Sequence, residues 1–206
     1  MAANDPMSAG PSTSPFFTDE ELHAFGFTAV GTNVRVSRKS SLYGIGGTIG
    51  SHVRVDDFCI LKGHIEIGSH VHICGYCSVS GVCGVVRLGD FSTLSNRVSI
   101  YTGSDDYRAD ALSSSTVPAG CLLTIKGDVI LARAALIGAH SVILPGTVVG
   151  EAASIGALCL VHGAIPAGAI AVSQNIGLRF KGTRNIEKIL RMADDVLRRD
   201  QNSASR

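Results

Sequence analysis

The sequence predicts a mainly β solenoid, and three observations carry that prediction. In residues 49–81, IGSHVRVDDFCILKGHIEIGSHVHICGYCSVSG, an aliphatic residue returns at every sixth position: Ile49, Val55, Leu61, Ile67, Ile73 and Val79. The next position is often glycine, as at Gly50, Gly68, Gly89, Gly138, Gly150 and Gly156. The beat also recurs through most of the 206 residues, far beyond the reach of one element. A strand alternates every two residues and a helix repeats about every 3.6, so neither alone makes a period of six. Many short units with glycine at a fixed offset are the mark of a coil whose turns stack on one another. The aliphatic residue points into the coil, and the glycine is expected to relieve the backbone at its corner.

Residues 1–15 are rich in Ser, Pro, Ala and Gly, which predicts a disordered tail. Residues 16–42 hold an N-terminal helix and a lead-in. Thr18-Asp-Glu-Glu21 matches a capping box, in which a hydroxyl and a glutamate three residues on satisfy each other's free amides. Phe16 and Phe17 precede it as staples. The helix is expected over about 18–25, with its apolar side over one end of the solenoid. Residues 43–182 carry the beat. It slips by three residues around Gly81-Val-Cys-Gly84, resumes with Leu88, Leu94 and Ile100, and breaks at 101–124. It returns with Ile125, Leu131, Ile137, Ile143, Val149, Ile155 and Val161. In 183–206, RNIEKILRMADDVLRRD sets Ile186, Ile189, Leu190, Ala193, Val196 and Leu197 on one helical face. That predicts a helix over about 184–199, packed on the solenoid and followed by a short tail.

Composition excludes several function classes. No stretch approaches the roughly 18 uninterrupted apolar residues of a membrane span, and the N-terminus shows no signal-peptide pattern. Net charge is +1 and the basic residues form no long patch, which argues against nucleic acid as a partner. Of the six cysteines, Cys59, Cys77, Cys83 and Cys159 each stand four places after a beat residue, a slot that Val53, Ile65 and Val71 fill elsewhere. They read as reduced, buried small hydrophobes, which fits a cytoplasmic protein. Cys74-Gly-Tyr-Cys77 is a lone pair with no second pair at zinc-finger spacing.

On this repeat the chain resembles the hexapeptide-repeat acyltransferases. That family folds as a left-handed parallel β-helix in which three hexads make one triangular coil of about 18 residues. The resemblance covers roughly residues 43–182. It implies acetyl-CoA as co-substrate, bound in a groove between two subunits of a homotrimer. Some solenoids of this fold are carbonic anhydrases or nucleotidyltransferases, so fold alone does not fix the reaction.

The break reads YTGSDDYRADALSSSTVPAGCLLT. A solenoid lets an insertion leave at a corner as a loop, and loops on rigid scaffolds commonly carry function. In the family's sugar and antibiotic acetyltransferases, a segment like IYTxxHP precedes the loop, and its histidine is the general base. The matching stretch here runs from Ile100 to Tyr107 and has Asp105 at the histidine position. The SDDY segment and Thr116-Val117-Pro118 resemble a branch of surface-polysaccharide sugar O- or N-acyltransferases. That resemblance implies a sugar or nucleotide-sugar acceptor with a hydroxyl or amine. A carboxylate is a weak base for a hydroxyl and less is asked of it by an amine. Asp105 and Asp106 are therefore candidates both for catalysis and for acceptor binding. Tyr107, and Ser95 and Asn96 just before the loop, are candidate substrate-binding groups.

Among the histidines, His72 stands just before a corner, is the one read as nearest the acceptor and is a further candidate for catalysis. His52, His64, His70 and His140 follow a beat residue by three and should face outward. His52 and His70 are 18 positions apart and should stack on adjacent coils, but no third ligand is evident, so no metal is expected. The resemblance places CoA along the later coils, at Gly138, Ala139, Gly156 and Ala157. Arg179, Lys181 and Arg184 are candidate phosphate partners. They lie in IAVSQNIGLRFKGTR, which keeps Asn175 of the family's closing motif but has Ile176 and Gly177 where proline and alanine are usual. The rivals are a non-catalytic solenoid that has lost its base, and a zinc carbonic anhydrase using His64, His70 and one other histidine.

Overall fold

The computed structural model describes residues 14–106, 112, 116, 118–173 and 178–204. The expected disordered tail falls mostly on residues 1–13, outside the described residues. The chain winds about seven turns of parallel β-solenoid between two helices. Each hexad supplies a strand of about two residues and the turn to the next face, and this is why the period is six.

Three faces result. The first stacks the rungs at 48–49, 66–67, 87–88, 130–131, 148–149 and 164–165. The second stacks 54–55, 72–73, 93–94, 136–137, 154–155 and 170–171. The third stacks 60–61, 78–79, 99–100, 142–143 and 160–161. The beat residue is the second of each pair and points inward. Leu61, Ile73, Leu94, Ile100, Ile137 and Val161 have no exposed surface. The slot four places later is buried as well, at Val53, Cys59, Val71, Cys77, Val98 and Cys159. Burying a large aliphatic side chain is worth about 1.5–3 kcal/mol, and the column repeats this on every coil.

The corner chemistry differs from the expectation. The left-handed backbone falls three places after the beat and is taken by ordinary residues, among them His52, Phe58, His70, Tyr76, Phe91, Arg97 and His140, with φ between 58° and 63°. The glycine one place after the beat has no positive φ. It is needed because the next coil passes too close: a Cβ on Gly50 would lie 2.7 Å from the Gly68 carbonyl carbon. Two other expectations are corrected. Ile125 is 45% exposed and is not a beat residue, because it lies on the hairpin strand Thr124–Lys126. Cys83 is half-buried, because 81–84 bulge out of the long strand Ser78–Leu88.

The helix α1, Asp19–Phe25, starts at the predicted capping box. Thr18 N–H donates to Glu21 Oε2 at 2.7 Å, and Glu21 N–H donates to Thr18 Oγ1 at 3.3 Å. Leu22 is fully buried against the first coil. At the far end, Leu178–Thr183 pairs antiparallel with Ala169–Ser173 and covers the second face's last parallel rung. The helix α2, Ile186–Ala204, then folds back along the solenoid and runs several residues beyond the predicted end. Ala193 is buried on its inward face, and Arg133 donates to Asp194 at 2.7 Å. No helix among the described residues is long and apolar enough to cross a membrane.

Candidate active site

The insertion leaves the coil where the third face turns into the first. Gly103–Asp105 pairs antiparallel with Thr124–Lys126, Asp105 opposite Thr124. The hairpin is anchored by buried Thr102, whose hydroxyl donates to Ser80 O at 2.9 Å and accepts from Cys83 N–H at 3.1 Å. Gly103 leaves room for the Cys83 side chain, since a Cβ there would sit 2.6 Å from Cys83 Sγ. These contacts hold Asp105, half-buried, at the rim of a groove of about 800 Å³. Its lining combines polar groups, among them Lys62, Tyr101 and Ser104, with apolar ones, among them Val142, Leu144 and Leu160. Asp106 follows, its amide donating to Leu123 O at 3.0 Å. Tyr107 lies outside the described residues.

Sequence reading missed Lys62 and Leu144. Register would have found them. Lys62 and Ser80 pair across adjacent coils, and so do Ser80 and Tyr101. Lys62, Ser80, Tyr101 and Leu144 each stand one place after a third-face beat residue.

Ser95 and Asn96 stand at the other edge of the third face, where it meets the second. The ladder bonds Ser95 N–H to Ile137 O at 2.9 Å, Gly138 N–H to Ile155 O at 2.8 Å and Gly156 N–H to Ala171 O at 2.7 Å. Ser95, Gly138 and Gly156 therefore form one row on successive coils. Asn96, Ala139 and Ala157 form the adjoining row, with His140 N–H donating to Asn96 O and Leu158 N–H to Ala139 O. The amides of Gly138 and Gly156 are used by the ladder. Those of Ala139 and Ala157 have no hydrogen-bond partner among the described residues.

His72 is on the second face and is not brought together with Asp105 within the chain. Its Nε2 lies 3.0 Å from Asp56 Oδ2, and Arg54 Nε donates to Asp56 Oδ1 at 2.7 Å. Burial alone would raise the Asp56 carboxyl, but hydrogen bonds from His72 and Arg54 outweigh it and hold the group below its ordinary value. Arg184 also lies apart from the Gly138 row. Its Nη1 donates to Ala152 O at 3.1 Å and Ala134 O at 3.4 Å, at the corner between the first and second faces. It clamps α2 to the coil. Arg179 and Lys181 lie on the closing strand, Arg179 opposite Val172.

Cys59, Cys77 and Cys159 are buried in their hydrophobic slots, while Cys74 and Cys83 are half-buried and Cys121 is exposed. Cys77 Sγ donates to Ser95 O at 3.1 Å, and its contact with Cys59 together with burial pushes its thiol up, so neither chemistry nor charge is expected of it. Two trios among the described residues hold ligand atoms within 4.8 Å of one another: His52, His70 and Asp200, and Asp56, His72 and Cys74. Neither touches the Asp105 groove.

A triangular solenoid with a corner insertion, a carboxylate on its rim and small residues in two corner rows defines a hexapeptide-repeat protein of the acyltransferase class. No family model matches the chain. The dTDP-4-amino-4,6-dideoxy-D-glucose acyltransferase of Escherichia coli is 36% identical over 150 residues, spanning 70% of this chain and 78% of that relative. AntD, an N-acyltransferase from Bacillus cereus solved with dTDP and 3-hydroxybutyryl-CoA, is 35% identical with a TM-score of 0.83, over 91% of this chain and 98% of that chain. A variant of it solved with dTDP-4-amino-4,6-dideoxyglucose and coenzyme A is 34% identical with a TM-score of 0.82, over 91% and 99%. The chain belongs to the hexapeptide-repeat acyltransferase family.

Proposed function

We propose that this protein moves an acyl group, acetyl in the first instance, from acetyl-CoA to the amine of a dTDP-linked amino sugar destined for surface polysaccharide. The observation that carries this reading is Asp105 on the rim of the groove, at the position where other branches have histidine. Solved variants of AntD replace one serine and one aspartate ten positions apart. Ser95 and Asp105 have that spacing here, and so do Ser80 and Asp90. Asp90 already accepts from Ser69 N–H at 2.7 Å in a structural turn, which favours the first pair.

The chemistry suits a carboxylate. A neutral amine attacks the thioester carbonyl, the N–C bond forms and a tetrahedral intermediate develops. Asp105 holds the amine and receives the proton lost from nitrogen, with Asp106 and Tyr107 beside it in sequence. The C–S bond then breaks and CoA leaves as a thiolate that takes up a proton. Preorganised donors lower the barrier most where negative charge develops. The Ser95 hydroxyl and Asn96 amide are the donors nearest in sequence. The unoccupied amides of Ala139 and Ala157 suit the pantetheine chain, and Gly138 and Gly156 let it approach. Arg179 and Lys181 are left as partners for CoA phosphates.

The Ser95 rows and the Asp105 groove flank opposite edges of the third face, on which Leu160 is 60% exposed. A homotrimer joined through such faces would set one copy's groove against the next copy's rows, completing the site and covering the apolar surface. An acyl-CoA donor and a nucleotide-sugar acceptor support a cytoplasmic enzyme. The test is thiol release from acetyl-CoA with dTDP-4-amino-4,6-dideoxyglucose, against the same nucleotide sugar bearing a 4-hydroxyl. Release only with the amine supports the reading. No release with either sugar overturns it.

A further inference from the structure

His52 and His70 occupy equivalent left-handed corner positions on adjacent coils, with φ 58° and 59°. The shared backbone conformation sends both side chains the same way. Their rings stack at 4.7 Å between centroids and 8° between planes, and Phe91 on the next coil continues the stack at 4.6 Å. The helix α2 crosses outside this column. Near its end, Asp200 sets Oδ2 2.7 Å from His70 Nε2 and 3.5 Å from His52 Nε2. The third ligand that the sequence did not reveal is thus supplied by a helix 130 residues further along the chain.

We propose that His52, His70 and Asp200 form a binding site for a divalent transition-metal ion of the zinc class, fastening α2 to the solenoid. Two imidazoles and a carboxylate are a donor set suited to zinc, with room for a fourth ligand. Ligand atoms bound to tetrahedral zinc at about 2.0–2.1 Å stand about 3.3 Å from one another. The His52–Asp200 separation already matches, the His70–Asp200 separation needs to open by about half an ångström when the ion replaces the proton between them, and the two imidazoles, stacked 8° from parallel, must tilt out of the stack so that both Nε2 lone pairs meet the ion. Metal-bound histidine donates its other ring N–H to an outer acceptor. The Asn33 amide lies 3.0 Å from His52 Nδ1. With its carbonyl oxygen turned inward it accepts Nδ1–H and frees the Nε2 lone pair. A groove of about 480 Å³, edged by Thr32, Ser51 and Ser69, opens onto the three ligands. It offers an entry path and hydroxyl partners for a water in the fourth position. The trio of Asp56, His72 and Cys74 lacks these features, since Arg54 already holds Asp56 and burial pushes the Cys74 thiol up.

The test uses the untagged, full-length chain stripped with chelator. Zinc titrated by calorimetry is expected to bind at one equivalent per chain and to raise the thermal midpoint. Cobalt is expected to give the visible absorption of a tetrahedral site. His70→Ala and Asp200→Asn are each expected to weaken zinc binding at least about tenfold. Asp200→Asn changes only a half-exposed group on the outer helix, so it keeps the test open if His70→Ala does not fold. No saturable zinc binding, or binding unchanged in Asp200→Asn and His70→Ala, overturns the proposal.

Discussion

Gly138→Ala and Gly156→Ala look alike in sequence and should behave differently. Both glycines follow a beat residue on the second face, and neither has a positive φ, so backbone strain is not at issue. A Cβ on Gly138 would lie 2.5 Å from Ala157 N and from Gly156 C, and 2.7 Å from Gly156 O. Ordinary contact begins near 3.5 Å, so the two coils must part there by about 1 Å. That movement strains the bonds from Gly138 N–H to Ile155 O and from Leu158 N–H to Ala139 O, at 2.8 and 2.9 Å. Overpacking typically costs about 1–3 kcal/mol, and each weakened bond adds about 1. The expected loss is about 3 kcal/mol or more. On Gly156 the Cβ meets only the Val172 Cγ1 at 3.0 Å, which a small side-chain rotation relieves. The smaller unfolded-state entropy of alanine returns about 0.4–1 kcal/mol, leaving Gly156→Ala within about 1 kcal/mol of the parent. For a chain of this size the thermal midpoint should fall by about 6–12 °C in the first variant and by no more than about 4 °C in the second. Circular dichroism melts decide it. Equal losses in both would refute the claim that approach of the next coil sets the glycine requirement.

Asp105→Asn should lower the amine-dependent rate at least about 100-fold while leaving the KM for acetyl-CoA unchanged, measured by thiol release. Ser92 is fully buried and its hydroxyl has no partner among the described residues, while Ala135 and Ala153 fill the same column on later coils. Ser92→Ala should therefore stabilise by about 1 kcal/mol, seen as a higher urea midpoint at unchanged slope. Asp56 is held below its ordinary value in the folded chain, as are Glu21 beside Arg38 and Asp57 beside Lys39. In this range the folded state binds fewer protons than the unfolded one, so stability is full above about pH 4 and falls as pH drops below it. Asp56→Asn should flatten that acid limb in urea titrations between pH 3 and pH 6, read at about half-unit steps.

The solenoid was legible because its code is local and repeated. A buried aliphatic every sixth residue needs only a correct period, and the capping box at Thr18 needs only four residues. The corner was misread in part because two causes share one residue type. Glycine suggests left-handed backbone, yet here it answers a close approach that only the next coil reveals. Ile125 kept the beat by coincidence of spacing while its strand had turned away into a hairpin. In the site, Asp105 was visible as a departure from a motif. Lys62 was not, because its neighbours lie on other coils and only register joins them. His52 and His70 were paired correctly by their spacing, but Asp200 comes from a helix whose docking no periodicity encodes.

The central claim is that this chain acylates an amine on a nucleotide sugar. The most direct test is the mass spectrum of dTDP-4-amino-4,6-dideoxyglucose after incubation with the purified protein and acetyl-CoA. The account predicts a nucleotide sugar carrying one added acetyl group as an amide, stable to mild base that would strip an ester. An unmodified sugar beside intact acetyl-CoA, or a base-labile ester, would contradict it.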